Sequence, residues 1–271
     1  MASILDRYGI KEVCDFTFYK IVKKEDGSVE CGAPVLYLDT LKVSTTEQTA
    51  ENTSARGGKG NPELITWDYG KEINVTLEDA LFSAKSMAIM FGSVENDGDA
   101  VINEDTASVK ILKTVPKAQV KEFTYAAEVS GVSKSTAKIE IRNTPVSLTE
   151  VVLYDEKGVK VEGKEGDLSA QDAFAYLTGK LAPTDVKEIT VSAETFPGTY
   201  YCTGDTFARS EDTGEDEFFQ LVIPKAKITS ENTLTMEAEG DPSTFSMNLK
   251  VLRPADGKMM KLIKYSLPAN A

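Results

Sequence analysis

The chain contains no histidine. That removes the commonest general base and the commonest nitrogen ligand for metals, so neither a Ser-His-Asp or Cys-His nucleophile nor a His-containing zinc site can be built. Cysteine is nearly as scarce: Cys14, Cys31 and Cys202 are odd in number, widely spaced and without a CxxC pair. Free thiols in a reducing compartment are the expectation, rather than a disulfide framework. No apolar run approaches the roughly 20 residues that span a bilayer. The first residues, MASILDRYGIKEVCDF, bring in acids too early for a secretory leader. Cations are short too, with 30 Lys and Arg against 43 Asp and Glu and a formal charge of −13. Tight nucleic-acid binding needs clustered cations that displace counterions, which argues against base readout. A surface that DNA passes without sticking stays open.

What remains is a folded chain with an ordinary composition. Its 271 residues, 41% of them hydrophobic, suffice for one large domain or two small ones. Most of the sequence reads as strand. In STFSMNLKVL (243–252), Phe245, Met247, Leu249 and Val251 share one face and Thr244, Ser246, Asn248 and Lys250 the other. KIEIR (138–142), EITVSA (188–193) and TLTMEAEG (233–240) repeat that pattern. CDFTFYKIV runs into the Asp26-Gly27 hairpin signal, and ADGK (255–258) suggests a second hairpin. TLEDALFSAKSMAIMFG predicts a helix over 76–92, capped by Thr76 and stopped by Gly92. SAQDAFAYLTGK (169–180) is a shorter helix candidate. Strict alternation with so few helices favours antiparallel sheet with one polar, wetted face.

Three stretches invite chemical readings. Gly57-Gly58-Lys59-Gly60 suggests a phosphate loop, but Thr53 stands where the first glycine belongs and Gly60 where Ser or Thr should follow the lysine. SVENDGDAVINE (93–104) carries acids at EF-hand spacing after a helix, yet it opens on Ser93 and no exit helix follows. RSEDTGEDE (209–217) packs five carboxylates without the aromatic lining of a carbohydrate cleft. A glycine turn and two solvated acidic turns are the plainer readings. No catalytic residue, metal ligand or cofactor-binding residue is assigned. Trp67 and Tyr69, two apart on one strand face, suit either core packing or a subunit contact.

The run LYLDTLKVSTTEQTAENTSARGGKGNPELITWDYGKEINVTLEDALFSAKSMAIMFG resembles the tail tube (major tail) proteins of long-tailed bacteriophages. So does FFQLVIPKAKITSENTLTMEAEGDPSTFSMNLKVLRP, and together the two cover about half of the chain. The resemblance implies a mainly β fold: a two-sheet antiparallel β-sandwich flanked by one α-helix. Residues 1–118 (strands, a long loop at 44–66, helix 76–92) and 217–271 would form the tube domain. Residues 119–216 would be a β-rich elaboration or small inserted domain. It further implies a non-enzymatic virion protein, assembled in the host cytoplasm, whose hexameric rings stack into a hollow tube that conducts DNA. Its partners would be copies of itself, a tape-measure protein and, where present, sheath, baseplate and terminator proteins, with no membrane and no specific DNA binding. In that setting the long loop reaches a neighbouring subunit, and Arg56, Gly57, Gly58, Lys59, Gly60, Trp67 and Tyr69 become its contact residues. Another tail component of the same fold, such as a baseplate ring or terminator protein, is an alternative, as is a carbohydrate-binding β protein.

Overall fold

The computed structural model describes residues 7–124, 135–161, 174–231, 233–234 and 244–266. The fold is mainly β, with two antiparallel sheets and, among the described residues, one α-helix. The chain opens with β1 (Tyr8–Ile10), β2 (Asp15–Lys23), β3 (Val29–Leu38), β4 (Leu41–Arg56) and β5 (Glu63–Asp79), followed by α1 (Ala84–Phe91). Next come β6 (Ile111–Pro116), β7 (Val120–Thr124), β8 (Thr136–Ile141), β9 (Thr144–Tyr154), β10 (Lys160–Val161) and β11 (Tyr176–Leu181). The last stretch holds β12 (Thr199–Ser210), β13 (Asp216–Ile228), β14 (Thr233–Leu234), β15 (Phe245–Val251) and β16 (Lys261–Tyr265).

The chain divides into two compact units, 1–102 with 189–271, and 103–188. The first holds a ten-stranded sheet whose path runs β3-β2-β12-β13-β15-β5-β4, with β1 on β12, β14 on β15 and β16 on β13. The two extreme strands of that path, β3 and β4, are consecutive in the chain and joined only by Asp39 and Thr40. A sheet with its ends tied so closely must curl over its own face. Leu38 and Leu41, flanking the link, accordingly enter one core with Phe16, Phe18, Val75, Leu77, Tyr200, Ile223 and Leu249. Helix α1 adds Ile89 and Met90 to that core. The second unit carries a six-stranded sheet, β6-β11-β9-β8-β7 with β10 on β9, and a separate core around Phe123, Ile139, Leu148, Leu153, Phe174 and Leu177.

Several expectations change. The helix starts at Ser83, whose side chain and that of Ser86 form a reciprocal capping box, not at Thr76. Residues 76–79 extend β5 instead: Leu77 pairs with both Ser44 and Met247, and the ladders on either side satisfy backbone groups that a helix would have to re-pair. Gly92 does end the helix, at φ 80°. The expected long loop at 44–66 is two strands joined by a short turn. The segment 188–193 makes a single bridge, Asn103 to Glu188, and no strand. Residues 255–258 do form a turn, but β15 and β16 do not pair with each other; both lie on β13. Residues 176–180 of the second helix candidate are strand, and 169–173 lie outside the described residues. So do residues 235–240 of the TLTMEAEG strand. The expected middle segment 119–216 differs from the compact unit at both ends. β6 already belongs to the second sheet, whereas β12 pairs with β2 and buries Tyr200 and Cys202 in the first core.

Candidate assembly surface

Strands β4 and β5, of 16 and 17 residues, form one long antiparallel hairpin. Its base is ordinary sheet. From Ile73 to Asp79 buried and half-buried residues alternate, and β15 pairs along β5 as far as Asn74. Beyond that, β4 is the sole partner of β5 among the described residues, and all ten residues from Glu63 to Glu72 are exposed. At about 3.3 Å per residue this leaves an arm of roughly 30 Å, two strands wide, with solvent on both faces. A two-stranded ribbon of that kind is marginal in water by itself.

The glycines of the run serve the tip. Gly58 and Gly60 adopt φ of 85° and 86°, and Asn61 follows at 49°. Such values favour glycine, and they let the chain reverse within Gly57–Pro62. The Gly57 N–H donates to the Pro62 carbonyl at 3.2 Å and the Asn61 N–H to that of Gly58 at 3.1 Å. Arg56 reaches the Glu63 carboxylate at 3.4 Å across the hairpin. Ser54 and Thr66 also donate to Glu63, and these two hydroxyls, Ser54 first, hold its carboxyl below the usual range. Lys59 makes no ion pair among the described residues and stands at the turn as an open cation.

A single residue decides which way the aromatics point. Tyr69 pairs with Glu51 and Glu72 with Thr49, so Gly70 and Lys71 together oppose Ala50 in a bulge, with Gly70 at φ 63°. Counted outward from Ile73, plain alternation would put Tyr69, Trp67 and Ile65 on the core face. The bulge shifts the phase by one, and they share the opposite face with Glu51, Thr53 and Ala55. There they form an apolar strip, Ile65 54%, Trp67 52% and Tyr69 52% exposed. Toward the body this outer face becomes polar. Glu72, Asn74, Thr76 and Glu78 lie beside Ser246, Asn248 and Lys250. Lys250 pairs with Glu72 at 2.9 Å and the Thr76 hydroxyl donates to the Asn248 amide oxygen at 3.0 Å.

The structure thus brings Arg56, Gly57, Gly58, Lys59, Gly60, Trp67 and Tyr69 onto one projecting hairpin, with the charged residues and glycines at its tip and the aromatics along its outer face. Ile65 and the Gly70 bulge escaped the sequence reading. Two signals were available for them: the period-two run Ile65, Trp67, Tyr69, and an isolated glycine inside a strand pattern.

The family model described as YomU/Tube protein family matches residues 8–120 and 106–264, which together reach from β1 to β16. The chain belongs to this family. It is also similar to the tail tube protein of Bacillus phage SPR, with 22% identity over 263 residues, 94% of this chain and 87% of that protein.

Proposed function

We propose that the chain is a structural subunit of a phage tail tube: six copies close into a ring, rings stack into a hollow tube, and DNA passes through it during ejection. It would act in the virion tail after assembly in the host cytoplasm, alongside a tape-measure protein and other tail components. Family membership supports the class. The observation that carries the mechanism is the β4–β5 arm, a ribbon with an apolar strip and no core of its own. Such a ribbon gains stability when a neighbouring copy covers Ile65, Trp67 and Tyr69, since tryptophan and tyrosine are among the side chains that dominate interfaces. The polar outer face at its base suits a lumen wall. Its hydroxyls and amides stay hydrated, and Glu47, Glu72 and Glu78 outnumber Lys250 and the Lys227 that faces it from β13.

Negative-stain electron microscopy of the purified chain at rising concentration tests the reading. Hollow rings passing into stacked tubes are the expected outcome. A particle that remains monomeric at every concentration, even with an assembled tail tip as initiator, contradicts it.

A further inference from the structure

The acidic balance is very uneven. The second unit holds twelve Lys and Arg against fourteen Asp and Glu, so −11 of the total −13 belongs to the first unit. Within that acidic unit, one open cleft of about 1270 Å³ is lined by Lys20, Lys23, Lys225, Lys227 and Arg253. Lys20 is neutralised locally by Asp97 at 2.7 Å and Asp99 at 2.5 Å. Lys23, Lys225, Lys227 and Arg253 have no carboxylate partner among the described residues, although Glu95 and Glu194 stand on the same rim. Cations left unpaired beside an excess of acids are a docking feature that the fold itself does not use. The cleft also exceeds the roughly 300–1,000 Å³ of small-molecule pockets and is open, which suits a protein turn better than a metabolite.

The counterpart lies on the same chain. Strands β12 and β13 form one long hairpin, and Lys227 pairs with Thr199 at its cleft end. At the other end, about 36 Å away along β12, the turn from Ser210 to Glu215 is closed by the Ser210 N–H to the Glu215 carbonyl and by Gly214 at φ 70°. Glu211, Asp216 and Glu217 are paired there with Arg7, Arg209 and Lys264. Asp212 and Glu215 are exposed and unpaired among the described residues. One hairpin therefore carries opposite charge at its two ends.

We propose that the Asp212–Glu215 turn of one copy seats in the Lys23, Lys225, Lys227 and Arg253 cleft of the next. The contact joins unlike surfaces, so it is not two-fold; between copies in successive rings, where no rotation closes it, it propagates along one direction. It gives stacked copies a fixed polarity, and it rests on the tube reading above. Charge pairs of this kind steer association and fix register more than they add affinity, and salt screens them.

Three variants of the full chain test it: Lys225→Glu with Lys227→Glu, Asp212→Lys with Glu215→Lys, and all four together. Sedimentable polymer is measured beside the melting temperature of the dilute protein. Each reversed pair is expected to lower polymer yield roughly tenfold with the melting temperature unchanged, and the fourfold exchange to restore it. Closed rings that fail to stack in the reversed pairs support the proposal and leave the tube reading intact. Native yield in either reversed pair, or a fourfold exchange as impaired as its parents, overturns this contact alone. A native protein that never polymerises overturns both. As a check that needs no mutation, raising salt from about 0.05 to 0.5 M should raise the polymerisation threshold several-fold; an unchanged threshold counts against the contact.

Discussion

The base and the tip of the β4–β5 hairpin are made by the same two strands with the same alternating chemistry, yet they differ in every physical respect. At the base, Ile73, Val75 and Leu77 are almost fully buried, and the backbone is paired on both sides. At the tip, Ile65, Trp67 and Tyr69 are about half exposed and, among the described residues, the backbone is paired on one side. Hydrophobic alternation specifies a strand, but not what covers it. Where the chain supplies the cover, the alternation makes a core; where it supplies none, the alternation leaves an apolar strip open to solvent.

The largest expected contrast is in amide hydrogen exchange of the isolated subunit. Opening the base requires global unfolding, whereas the tip frays locally, so amides at 63–69 should exchange at least about 10³-fold faster than those at 73–79. Equal protection would break the comparison. Next come side-chain truncations read by urea denaturation. Leu77→Ala, which leaves a cavity in the core, should cost about 2–5 kcal/mol. Trp67→Ala should change monomer stability by less than about 0.5 kcal/mol while severely reducing polymer yield. A large loss of monomer stability in Trp67→Ala would assign the tryptophan to the fold.

Gly70→Val is subtler. A β-branched residue at φ 63° is strained by about 1–2 kcal/mol, which the arm can relieve by fraying or by losing its bulge. The unfolding midpoint should thus hardly move, while assembly falls because the aromatics no longer face outward. Smallest is the effect of acid. Lys20 holds the Asp97 carboxyl below its usual range. Its contribution to stability is accordingly present above about pH 4 and lost as pH falls through the lowered native value. Since Glu63 is lowered as well, through Ser54 and Thr66, acid loosens both body and tip. Asp97→Asn should flatten only the body's response, read from thermal melts between about pH 5 and 2.5. An unaltered pH profile would remove Asp97 from that role.

Much of this was legible in the sequence, for reasons that can be named. The alternation of Phe245, Met247, Leu249 and Val251 gives β15, and Asp26-Gly27 gives the β2–β3 turn, because both signals are local. The arm was harder to read. Thr and Glu in TTEQTAENTS fit a loop as well as a two-sided exposed strand, and pairing over 41–79 is a contact that local pattern does not reveal. The helix start moved because Leu77 belongs to two ladders, and one of them comes from β15, more than 160 residues later. The cationic cleft could not be seen at all. Its members come from β2, β13 and the segment after β15, and the pairing order β2-β12-β13-β15 brings them together.

The most direct test of the arm as the assembling element compares native protein with a variant in which residues 54–60 are replaced by a two-residue turn. Both are imaged by negative-stain electron microscopy at matched concentration, after circular dichroism has established that both are folded. Long tubes from the native chain and dispersed, folded subunits from the shortened one are expected. Indistinguishable tubes from the two would contradict the arm's role and leave Ile65, Trp67 and Tyr69 without a partner.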